Sequence, residues 1–156
     1  MRLIQRFADF LLPLSLFIPL ATAAHAVNVD ENLPDAQALA QLEVRAQQAG
    51  PRDQCFLYTE LVHTMTEIAG KQMLNGDIDK ASDTLKKVNH YAQLIHMDLA
   101  SNSKRIKNAE ILMHHTTYKL SEYLHHASGE DQDTLKATLK QLDKVHEELL
   151  AEVLKH

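Results

Sequence analysis

From Asp77 to Ala127 the chain contains neither glycine nor proline, and its core-type residues keep one helical phase throughout. Ile78, Ala81, Leu85, Val88, Ala92, Ile95, Leu99, Asn102, Ile106, Ala109, Met113, Thr116, Leu120, Tyr123 and Ala127 follow one another in steps of three and four. This is the heptad spacing of a helix that buries one stripe against partners. The unbroken phase predicts a single helix over 77–127, roughly 75 Å long. The rival reading breaks the segment at Ser101-Asn102-Ser103, its weakest point, into two helices of a four-helix bundle. Asn102, on the seam, would fix register at some cost in stability.

The flanking sequence continues the helical theme. A short first helix fits 34–49, with Ala36, Leu39, Leu42 and Ala46 on one side, and a second fits 51–74. Pro34 and Pro51 stand at the first helical positions, where a missing N–H costs nothing. The second helix carries two adjacent apolar stripes, Leu57, Leu61 and Ile68 beside Tyr58, Val62, Met65 and Ala69, with Glu60, His63 and Glu67 opposite. A face that broad touches two neighbours at once. The last helix fits 131–155, with Leu135, Leu139, Leu142, His146, Leu149 and Val153 inward. Short turns at Asn75-Gly76 and Ser128-Gly129 make successive helices antiparallel. The class is therefore all-α, an antiparallel helical bundle.

Composition fits one folded domain. Of 156 residues, 45% are hydrophobic and 24% charged, too balanced for disorder, and four Gly with four Pro are too few for a loop-rich β fold. A net charge of −5 argues against a nucleic-acid binder. One cysteine precludes an internal disulfide or a cysteine-based metal cluster within one chain, and the apolar Phe56, Leu57 and Tyr58 after Cys55 predict that its thiol is buried.

The first 26 residues read as an export signal. Arg2 and Arg6 precede an apolar run from Phe10 to Ala24, and Ala24-His25-Ala26 closes it with a small-x-small cleavage pattern. Pro13 and Pro19 interrupt a run already too short to span a bilayer. Cleavage after Ala26 would leave a flexible leader over 27–33 and a single helical domain over 34–156. That chain is expected in the periplasm or outside the cell, with no membrane span.

Around the Asn75-Gly76 turn, Gly76-Asp77-Ile78-Asp79-Lys80-Ala81 resembles the turn of a tetratricopeptide repeat. Ala69 and Leu85 stand where that family places its small and large packing residues. The likeness covers residues 62–91, about one repeat, and no second copy follows at the family's period. It implies a tight helical hairpin at this point, since stable arrays need about three repeats.

Histidine is the compositional outlier, with ten in the chain. His114-His115 and His125-His126 lie three turns apart on one face, roughly 16 Å between pairs, too far to share one ion. Glu60/His63 and Glu122/His125 have the Glu-x-x-His spacing of di-iron carboxylate bundles, but the periodicity turns both pairs away from the core. A surface site built from His114, His115, Glu122, His125 and His126 would suit Zn²⁺, Cu²⁺ or Ni²⁺. Alternatively, Ile111 and Tyr118 with the paired histidines form an amphipathic contact covered by the first helix or by a second copy. His146, on the seam of the last helix, is expected to be a hydrogen-bonded core histidine near Leu112, Met113 and Thr116.

No nucleophile elbow, phosphate-binding glycine loop or haem-attachment motif occurs in the sequence. The chain thus reads as an exported, non-enzymatic protein that acts through protein–protein interaction or self-association. Its alternative is an extracytoplasmic metal-binding or metal-sensing protein.

Overall fold

A computed structural model describes residues 35–95, 104–127, 129 and 131–155. The export signal, the leader, Pro34, Leu99 and the Ser101-Asn102-Ser103 segment lie outside the described residues. The elements are α1 (Ala36–Gln48), α2 (Pro51–Leu74), α3 (Ile78–Ile95), α4 (Ile106–His126) and α5 (Asp131–Val153), and no strand is found among the described residues. The all-α class and the helical bundle are as the periodicity predicts.

Local chemistry sets the ends. The Asp35 carboxylate accepts from the Ala38 N–H at 2.7 Å and caps α1. Pro51 opens α2 as its first helical residue. At the far end of α2 the Gly76 N–H donates to Met73 O at 3.0 Å and the Asp77 N–H to Gln72 O at 2.8 Å. This is a Schellman closure, and it needs the left-handed φ of 79° that Gly76 adopts without penalty.

The single helix expected over 77–127 is not formed. α2 and α3 are antiparallel: Thr84 donates to Gln72 at 2.8 Å beside the turn, and the Tyr58 and Tyr91 rings stack at 5.8 Å toward the other end. α4 instead runs parallel to α2. The Lys104 N–H donates to Arg52 O at 3.0 Å where both helices begin, and the Tyr123 hydroxyl points at Glu67, 3.4 Å away, further along. The chain therefore reverses between Ile95 and Lys104, and the four-helix alternative is the one adopted. At the restart, the Arg105 guanidinium lies 3.4 Å from the centre of the Phe56 ring, a cation–π contact that holds α4 against α2.

α5 returns antiparallel to α4, with the Gln132 side chain donating to Ala127 O at 3.0 Å beside the turn. It also lies along α3, where Asn89 donates to Thr138 at 3.1 Å. The four long helices thus form a square in the order α2, α3, α5, α4, with α3 and α4 on a diagonal. α1 packs on α2, where the Gln54 amide donates to Ala46 O at 3.2 Å.

The predicted seam nonetheless faces the core on both sides of the reversal. Ala81, Leu85, Val88, Ala92 and Ile95 from α3 are buried, as are Ala109, Met113, Thr116 and Leu120 from α4. A bundle core demands the same three-four spacing as one long seam, so shared phase does not require a continuous helix. α2 buries Leu57, Tyr58, Leu61, Val62, Met65 and Ala69 against three neighbours rather than two. Cys55 is buried, as its neighbours predict. The buried threonines return their hydroxyls to their own helices, Thr59 to Cys55 O and Thr66 to Val62 O, so they add no unsatisfied donor to the core.

Candidate functional site

The square arrangement brings three helices together around one level of α4. His63 comes from α2, His114 and His115 from α4, and His146 from α5. Adjacent residues on a helix do not share a face, so the His114-His115 pair splits, with ring centres 6.1 Å apart. His114 turns to α5, where its ring centre is 5.2 Å from that of His146. His115 lies on the side of α2 and acts electrostatically on His63.

His63 is not on the outer face that its helical spacing implied. It is half-buried against α4, with Nδ1 at 3.0 Å from Thr116 Oγ1. The only hydroxyl proton of Thr116 goes to Leu112 O at 2.7 Å, so Thr116 must accept from His63. His63 therefore carries its proton on Nδ1 and keeps the Nε2 lone pair. Burial holds this imidazole below its ordinary pKa; the Glu67 carboxylate opposes that effect and His115 adds to it. Glu67 is likewise half-buried, beside Tyr123. There, burial first and the Glu67 charge second push the phenol up to about 12. The Tyr123 ring lies directly over Gly70, where any Cβ would overlap it.

His146 is hydrogen-bonded as expected, but it is half-buried rather than in the core, and its partner is Glu110. Its Nε2 lies 3.0 Å from Glu110 Oε1, with side-chain exposures of 20% for His146 and 17% for Glu110. A carboxylate only accepts, so this nitrogen carries a proton, and in the neutral form of the ring the lone pair is on Nδ1. One turn away, Asp143 is pushed above the usual carboxylate range, mainly by burial, with His146 opposing and Glu147 reinforcing.

The other proposed ligands stand apart from this cluster. Glu122 pairs with Lys119 at 3.3 Å. His125 and His126 are exposed at the end of α4, and His126 lines a cavity of 140 Å³ with Gly70, Met73, Leu74, Ile78 and Tyr123. Among the described residues no three His, Cys, Asp or Glu side chains are grouped so as to hold one metal ion. The first helix does not cover the outer face of α4, since α1 packs on α2, and Ile111 and Tyr118 are left 46% and 59% exposed. Glu110 with His146 is the link that sequence reasoning missed. The register about the last turn placed His146 near Leu112 and Met113, within one turn of Glu110, but no carboxylate was expected on that side of α4.

No described helix is long and apolar enough to cross a membrane. No protein-family model, curated protein or solved structure matches this chain.

Proposed function

We propose that this chain is an exported, non-enzymatic helical bundle that works by binding another protein or a second copy of itself. One observation carries the reading: Ile111 and Tyr118, seven residues apart, expose an aromatic and a β-branched side chain on the same outer face of α4. That spacing is two turns, about 10 Å, and suits one helix or loop of a partner. Tyrosine is enriched at interfaces because it offers a large apolar body and a hydroxyl together. His114 and His115 lie on the turn between them and would form a polar rim.

A photo-crosslinking residue in place of Tyr118, in cells that make and export the chain, tests this. The expected result is one discrete adduct, either a dimer or a single heterologous partner. The Ile111→Ser/Tyr118→Ser variant should weaken that same association at least tenfold in sedimentation with the purified components. No adduct, or an association indifferent to the double change, contradicts the proposal.

A further inference from the structure

We infer that His114 and His146, held across the α4–α5 junction, form an open binding site for a divalent transition-metal ion, with Cu²⁺ the tightest ligand. The inference does not depend on the interaction reading. It differs from the histidine face expected from sequence, because its two donors come from different helices and His125 and His126 take no part.

The two rings stand face-adjacent across the junction, one from each helix, at a spacing that one ion can bridge. An imidazole nitrogen binds Zn²⁺ or Cu²⁺ at about 2.0–2.1 Å, which sets each ring centre roughly 3.2 Å from the ion. Two rings on one ion then have centres roughly 4.5 Å apart at the right angle of a tetragonal Cu²⁺ site and roughly 5.2 Å apart at a tetrahedral angle. The His114 and His146 rings lie 5.2 Å apart, with their planes inclined at 43°. Two residues on two rigid helices also hold that spacing better than two on one loop.

Glu110 supplies the second requirement. Metal-bound histidines commonly donate their other ring N–H to a carboxylate, which fixes the tautomer and raises the basicity of the ligating nitrogen. The Glu110 carboxylate does this for His146 through the 3.0 Å bond to Nε2, leaving Nδ1 as the ligand atom. Because Glu110 is committed to that bond, the cluster provides two protein donors rather than three. Solvent, or a donor brought by a partner, completes the coordination shell. His114 is exposed and gives the ion a way in. Such a site exchanges its ion, unlike the closed four-ligand sites that only stabilise a fold. Cu²⁺ stands at the top of the divalent affinity order for nitrogen ligands, ahead of Zn²⁺ and Ni²⁺.

Calorimetric titration of the untagged chain with Cu²⁺ and with Zn²⁺ at pH 7.5 tests the site, beside Cu²⁺ electron paramagnetic resonance. The expected result is one high-affinity Cu²⁺ per chain, a spectrum with coupling to two imidazole nitrogens, and weaker Zn²⁺ binding. His114→Ala and His146→Ala should each weaken Cu²⁺ at least tenfold, and Glu110→Gln should weaken it less. The His125→Ala/His126→Ala variant should bind as the parent does. Circular dichroism checks each fold, and the exposed position of His114 decides the matter should His146→Ala unfold. Affinity retained by His114→Ala, or lost with His125 and His126, overturns the inference.

Discussion

The two junctions that α4 makes are built alike and finished differently. Toward α2, a half-buried histidine meets a hydroxyl, as His63 Nδ1 donates to Thr116 at 3.0 Å. Toward α5, a half-buried histidine meets a carboxylate, as His146 Nε2 donates to Glu110 at 3.0 Å. Each bond satisfies a polar ring that would otherwise cost stability. The neutral partner leaves His63 to the effect of burial, which keeps it uncharged. The charged partner orients His146, whose ring lies beside that of His114 with centres 5.2 Å apart. The same residue type thus serves packing at one junction and, in the inference above, ion binding at the other.

The comparison can be broken first at the hydroxyl. Thr116→Val keeps the shape but removes the acceptor, leaving the Nδ1–H of His63 without a partner in a partly dry junction. The expected loss is about 1–2 kcal/mol in urea unfolding, with the midpoint falling and the slope unchanged. An unchanged midpoint would mean that water already serves His63.

A smaller, sharpening effect concerns pH. The folded-state pKa of His63 lies below the ordinary value of 6.5. As pH falls, the unfolded ring takes its proton first, so protonation favours unfolding. The His63 contribution is therefore complete above about pH 6.5 and is lost as pH falls through the lower folded-state value. A thermal-unfolding series from pH 8 to pH 5 should show this decline, and His63→Gln should flatten it. An equal decline in the variant would assign it to other groups.

Much of the core was legible in the sequence, because burial in a bundle follows the three-four spacing directly. Leu85, Val88, Met113, Leu120, Leu142 and Leu149 all lie on predicted stripes and are essentially inaccessible. The reversal between Ile95 and Lys104 was not legible as the preferred reading. No glycine or proline marks it, and the two stripes stay in phase because both face one axis. The contacts that enforce the new direction, Lys104 to Arg52 and Arg105 over Phe56, join residues about fifty positions apart. Helical spacing carries no signal for such contacts.

The site was half-legible for the same reason. Spacing correctly set His114 and His115 on the exposed side of α4, and His146 on the inner side of α5. It misplaced His63, because a helix with neighbours on three sides has little outer face left, and α4 was expected to continue away from α2. Tyr123 against Gly70 shows how close that unforeseen approach is. Pairing His146 with Glu110 needed the α4–α5 register to within one turn, which two-residue uncertainties at each helix end obscure.

The most direct test of the contrast between the junctions is the tautomeric state of the two histidines. Long-range ¹H–¹⁵N correlation spectra of the metal-free chain at pH 8 read it ring by ring. The account predicts opposite tautomers, with the proton on Nδ1 in His63 and on Nε2 in His146. Finding both rings in the same tautomer would contradict it. A proton on Nδ1 of His146 would in addition remove the lone pair on which the metal site depends.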